Sequence, residues 1–207
     1  MTDTAHQSVS NGERMAEVSG SAESSMTAEI LKMLSVYERV GIAARERLDD
    51  VPLDHHPSNI MPSFRSIIVM ARVPKELPEG ILAGKFRQAI ATIAAQDAVG
   101  RYLKHHGYAF QLIGSRSTRI SLPRLGERAG VGELSQFRTL AVKGHGLRTV
   151  LSAVITDAPL LQSPPASNAC QRKERCLKRC AALQPEGTFD RTKCTSCGAC
   201  VRQCAEG

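Results

Sequence analysis

Apolar positions fall along the chain in a few blocks whose periods predict its elements. Ile30, Leu31, Leu34 and Val36 recur near helical spacing behind Thr27, a potential N-cap, so the pattern predicts a helix over 28–40 that stops near Gly41. Pro52, Pro57 and Pro62 impose a loop on 50–63. The run Ser66-Ile67-Ile68-Val69-Met70-Ala71, closed off by Pro74, is apolar on both alternating faces and predicts a buried strand. No proline interrupts 85–106, where Phe86, Ile90, Ile93, Ala94, Val99 and Leu103 keep one face apolar, and a long helix is predicted that Gly107 ends. A second strand is expected over 108–113. Helix and turn signals mix over 122–134, and TVLSAVIT at 149–156 is the clearest strand of all.

Strands alternating with helices put the chain in the α/β (α+β) class. Residues 1–25, rich in Ser, Thr, Ala, Gly and Glu without apolar periodicity, read as a flexible leader. Pro159, Pro164, Pro165 and Ser167 form a linker, dividing a domain over 26–165 from a module over 168–207 in which every cysteine lies. A length of 207 residues suits one core plus such an appendage. With 4% aromatic residues and no Trp, the core must be built from Ile, Leu, Val and Ala, and platforms for stacking bases are few.

The net charge of +7 would ordinarily suggest a polyanionic partner. Much of it lies in the module, where Arg172, Lys173, Arg175, Lys178, Arg179, Arg191, Lys193 and Arg202 outnumber Glu174, Glu186 and Asp190. Thiolate-ligated clusters are negative and offer that charge another partner, so nucleic acid is not the expected one. Met1 to Ser25 has neither an apolar signal core nor a twin arginine, and no apolar run approaches the ~20 residues of a membrane span, so a soluble, cytoplasmic protein is expected.

Seven cysteines crowd one end of the chain, which disfavours a secreted disulfide framework and favours metal ligation. Cys194, Cys197, Cys200 and Cys204 have the spacing C-x2-C-x2-C-x3-C, in which a tight loop aims three thiolates at one cluster and sends the fourth to another. A single zinc draws pairs of ligands from two separated knuckles and suits this run poorly. Upstream, Cys170, Cys176 and Cys180 repeat the same frame with Lys173 in place of its second cysteine. On the two-cluster rule Cys180 joins Cys194, Cys197 and Cys200 around a [4Fe-4S] cluster, leaving Cys204 with Cys170 and Cys176. Three ligands suit a [3Fe-4S] cluster, and the arrangement resembles the seven-iron ferredoxins. A [4Fe-4S] cluster with a non-protein fourth ligand and an empty site are the alternatives. Ala181 and Ala205 stand where such runs usually continue with proline.

The remaining motifs are ERAGVGEL at 127–134, GHGLR at 144–148 and AVITDAPL at 153–160, leading directly into the cysteines. Their order and spacing are similar to those of epoxyqueuosine reductases and reductive dehalogenases, in which an AGLG motif, a glycine-basic turn and TDxPL precede a ferredoxin module. SFRSIIVM at 63–70 resembles the first core strand of those families, and YLKHHGY at 102–108 the end of their helix. The resemblance implies a nitroreductase-like domain followed by a ferredoxin-like module, with a base-off corrinoid (cobalamin) between them that receives electrons from the clusters. It implies as partners an electron donor such as a ferredoxin or flavodoxin and a small-molecule or corrinoid ligand. Gly130, Gly132, Gly144, His145, Gly146 and Asp157 are the candidate cofactor-binding residues. As ordinary residues, the glycines are turn and close-packing positions, Asp157 a cap and His145 an exposed loop residue. His55 and His56 sit in the proline-rich loop with no partner cluster. One departure concerns chemistry: epoxyqueuosine reductases carry an Asp general acid shortly before AGLG, whereas TRISLP at 118–123 has no carboxylate. An electron-transfer or corrinoid-handling protein without its own turnover is therefore the second reading.

Overall fold

A computed structural model describes residues 11–74, 82–167, 180–184, 189–195 and 200. Helix α1 (Asn11–Met33) leads to β1 (Arg39–Ala44), β2 (Ser66–Arg72), α2 (Leu82–His105) and β3 (Phe110–Ile113); then follow α3 (Leu122–Arg128), β4 (Glu133–Leu134), β5 (Leu140–Ala141) and β6 (Val150–Thr156). The main sheet has the order β1-β2-β6-β3, and a two-stranded hairpin joins β4 to β5.

Every neighbouring pair in the main sheet is antiparallel, so the class is α+β; alternation of elements alone does not reveal this. Strands β2 and β3 are parallel to one another, being both antiparallel to β6, which lies between them. The β2-α2-β3 crossover is thus split by a strand that arrives much later in the chain.

Strand β2 is apolar throughout because both faces of the sheet are covered. Ile68 and Met70 join Ile42 and Val154 against Ile30 and Leu34 of α1 and Ala95, Val99 and Leu103 of α2. Ile67, Val69 and Ala71 face the other way, with Ala153 and Ile155, onto Leu122 and Leu125 of α3, its C-cap Ala129 and the loop residues Phe64 and Val51. Tyr37 closes the helical side by donating to the Thr92 carbonyl at 3.0 Å, and burial pushes its hydroxyl pKa up.

Three expectations change. The first helix ends at Met33 and extends back to Asn11 through most of the stretch read as a leader, and Val40 and Gly41 belong to strand β1. Thr27 lies inside α1 rather than at its start, and its hydroxyl accepts a hydrogen bond from Leu161 N–H at 3.0 Å. On α2 the buried stripe is Ala95, Val99 and Leu103, while Ile93 is on the exposed side. No helix among the described residues is long and apolar enough to cross a membrane.

Candidate iron–sulfur centre and its seat

The segment that leads from β6 to the cysteines is fixed one residue at a time across the end of the sheet. Thr156 donates to the Ala109 carbonyl at 2.8 Å and accepts from Ala158 N–H at 3.1 Å, while Asp157 Oδ1 accepts from Ala109 N–H at 2.8 Å. The Thr-Asp pair of the TDAPL motif thereby ties the end of β6 to the residue before β3. Buried Ser66 on β2 donates to the Ala158 carbonyl at 2.8 Å and accepts from Leu160 N–H at 3.1 Å. Ser163 then reaches edge strand β1: its N–H donates to the Ile42 carbonyl at 2.9 Å, and its hydroxyl accepts from Ile42 N–H at 3.0 Å. Arg47 clamps this point from outside, donating to the carbonyls of Ser163 at 2.6 Å and Arg128 at 3.3 Å. An open sheet edge is covered in the process. Ser66→Ala is expected to lower unfolding free energy by about 2–3 kcal/mol, since it strands a buried carbonyl and a buried N–H. Urea denaturation would measure it, and a loss below roughly 0.5 kcal/mol would show that water replaces the hydroxyl without cost.

The candidate glycines divide by environment. Gly130 has φ +77°, and a Cβ there would overlap the Pro164 carbonyl; at Gly132 it would overlap the Ala141 carbonyl, and at Gly41 of β1 the Ala129 carbonyl. The AGVG segment is therefore threaded between β1, the linker and β5 with backbone against backbone. Gly144 and Gly146 (φ +79° and +57°) belong to a tight turn closed by the Val142–Gly146 bridge, with open space around Gly144. His145 is half-buried in this turn, and its N–H donates to the Val142 carbonyl at 2.9 Å. Because Glu133 of β4 pairs with Ala141 of β5, the AGVG segment and the GHG turn lie on the same hairpin layer. Asp157 lies instead at the β3 end of the sheet, on Ala109. His56 accepts from Ser58 N–H at 3.3 Å and packs edge-on against Phe64; His55 pairs with Asp54 at 3.6 Å.

Of the seven cysteines, Cys180, Cys194 and Cys200 are described, and Cys170, Cys176, Cys197 and Cys204 lie outside the described residues. Cys194 is exposed, Cys180 and Cys200 are half-buried, and none of the three is in a disulfide. The arm between Cys180 and Cys194 folds back on itself. Leu183 N–H donates to the Cys180 carbonyl at 3.0 Å, Leu183 and Phe189 form an antiparallel bridge, and Asp190 N–H donates to the Ala182 carbonyl at 2.7 Å. A short 3-10 turn, Arg191–Lys193, then delivers Cys194. Asp190 initiates that turn by accepting from Thr192 N–H at 3.0 Å and Thr192 Oγ1 at 2.6 Å, and the Thr192 hydroxyl holds its carboxyl below the usual range.

This arm is seated on the β4–β5 hairpin. Phe137 at the tip meets Phe189 edge-to-face, with ring centroids 5.5 Å apart and planes at 77°. The tip is stiff: Ser135 N–H donates to the Thr139 carbonyl at 2.8 Å, the two hydroxyls lie 3.0 Å apart, and Arg138 takes a left-handed conformation with φ 56°. Beside Phe137, the amide oxygen of Gln136 is buried and accepts no hydrogen bond among the described residues. Neither Phe137 nor Gln136 carries a sequence signal, and Gly41 looked like a helix stop. Among the described residues, Cys180, Cys194 and Cys200 included, no three metal-ligating side chains converge.

The fold of the covered antiparallel sheet and its hairpin layer is similar to that of solved reductases. Epoxyqueuosine reductase from Streptococcus thermophilus matches with a TM-score of 0.64 at 16% identity, over 82% of this chain and 56% of that one. The Bacillus subtilis enzyme gives 0.62 at 16% identity over the same shares, 82% and 56%. A catabolic reductive dehalogenase solved with 3-bromo-4-hydroxybenzoic acid gives 0.53 at 21% identity, over 74% of this chain and 24% of that one. This chain thus spans little more than half the length of the epoxyqueuosine reductases it matches. No protein-family model and no curated protein sequence matches it. The resemblance carried by the sequence motifs is a resemblance of fold.

Proposed function

We propose that this chain is an iron–sulfur redox protein that passes electrons from its clusters to a base-off corrinoid, as a reductase of the epoxyqueuosine reductase and dehalogenase kind. The observation that carries the reading is the seating of the arm that joins Cys180 to Cys194 on the hairpin layer that also holds the AGVG and GHG motifs. The donor set suits a cluster, since the described cysteines are thiols outside any disulfide and the remaining four share their spacing pattern. The buried amide oxygen of Gln136, without a partner among the described residues, suits a ligand that presents N–H groups, as a corrinoid's peripheral carboxamides do. When bound, the clusters supply one-electron reducing equivalents and the corrinoid supplies a strongly nucleophilic cobalt. The chain's own residues supply position: Ser66, Arg47 and Ser163 hold the linker, Gly130 and Gly132 let backbone meet backbone, and the hairpin tip supports the cysteine arm.

A second reading, an electron carrier or corrinoid-handling protein without turnover, is favoured by the loop before α3. It has no carboxylate over 118–123, and Arg119 in it is exposed. Anaerobic reconstitution with iron, sulfide and hydroxocobalamin, followed by desalting and metal analysis, tests both. About one cobalt per chain alongside iron is expected, as for one resident cofactor. Iron without cobalt would remove the corrinoid and leave the carrier; neither metal would remove both readings.

A further inference from the structure

We infer that Phe137 is a positioning residue for the cluster held by Cys180 and Cys194, setting the spacing of those ligands through its edge-to-face contact with Phe189; this rests on the iron–sulfur reading above. Phe189 lies five residues before Cys194 and is bridged to Leu183, three residues after Cys180. It therefore sits where the two described halves of the arm meet. Among the described residues of the arm, Ala182 and Leu183 are buried and Cys194 and Thr192 exposed, and the backbone bonds between those residues join the arm to itself. Phe137 is 9% exposed, belongs to neither of the two main core clusters, and meets Phe189 edge-to-face. The hairpin tip beneath it is held by the Ser135–Thr139 pair of bonds and offers a fixed surface.

Cluster potential and retention depend on ligand geometry, on hydrogen bonds to sulfur and on access of water. An aromatic contact that fixes two ligands of one cluster bears on the first and last of these.

The test uses the full chain reconstituted anaerobically with iron and sulfide, in the wild type and in Phe137→Ala, Phe189→Ala, the double variant and Phe137→Tyr. The readouts are iron release to a chelator, the midpoint potential and the magnetic spectrum of the reduced cluster. Either alanine variant should speed iron release by about two- to tenfold, the worth of one aromatic pair. Both should shift the potential in the same direction, the double variant should add little to either, and Phe137→Tyr should restore wild-type behaviour. Phe189→Ala keeps the test sound if Phe137→Ala fails to fold, because Phe189 is half-buried where Phe137 is buried. Wild-type release and potential in the alanine variants would overturn the inference, as would faster release at an unchanged potential and spectrum, the mark of general loosening. A wild-type chain that takes up no iron would instead overturn the iron–sulfur reading itself.

Discussion

Gly130→Ala should destabilise the protein by about 2–5 kcal/mol and free the linker from the sheet. Two costs add. A left-handed residue with a Cβ is disfavoured by about 1–2 kcal/mol, and Gly130 has φ +77°. The new methyl would also overlap the Pro164 carbonyl, whose neighbour Ser163 is bonded to Ile42 of β1, so the backbone must shift for roughly 1–3 kcal/mol more. Gly144→Ala is the control: its φ is +79° but nothing lies within 4 Å, so it should cost only the conformational part. Urea denaturation of the two variants gives the difference, and limited proteolysis reports whether 158–167 has come loose. A Gly144→Ala loss equal to or above that of Gly130→Ala would mean that packing against the linker is not what the AGVG glycine serves.

That contrast marks what can be read from a sequence here. Strand β2 and strand β6 are legible because each is a short apolar run, β-branched in large part, buried on both faces. Helix α2 is legible because no proline interrupts it and Gly107, at φ +81°, ends it. Strand β1 is not, because the helical spacing of Ile30, Leu31, Leu34 and Val36 carries a helix reading forward over its start, and Gly41 reads locally as a stop. Its true role, to let Ala129 approach the strand, is a contact across the fold. The antiparallel order is hidden for the same reason: β6 inserts between β2 and β3 by pairing with residues some eighty positions earlier. At the site, ligand spacing is a local property and the cysteines announce it. The seat is not local, since Phe137 and Phe189 are two unremarkable residues until the hairpin and the arm are brought together. The TDAPL motif is intermediate. Its pattern is visible, but only the hydrogen bonds to Ala109 and Ser66 show that it steers the chain across the end of the sheet.

Lys173→Cys should raise the iron content of anaerobically reconstituted protein from about seven to about eight per chain, with loss of the magnetic signal of an oxidised [3Fe-4S] cluster. The substitution restores the missing second cysteine of the frame formed by Cys170, Cys176 and Cys180, supplying a fourth thiolate where three were present. The wild-type value separates the alternatives beforehand: about seven irons fit a [3Fe-4S] cluster beside a [4Fe-4S] one, about eight fit two full cubes, and about four fit an empty second site. Cys180→Ala provides the complementary removal. On the proposed crossed ligand pattern, in which Cys180 joins Cys194, Cys197 and Cys200, its loss should strip the [4Fe-4S] signal or convert it to a three-iron form and leave the other cluster in place. The folded arm supports this direction, since the Leu183–Phe189 bridge turns the chain from Cys180 back toward Cys194. If Cys180→Ala instead removes the second cluster and spares the first, each run ligates its own cluster, and the bridge serves only to pack the arm against Phe137.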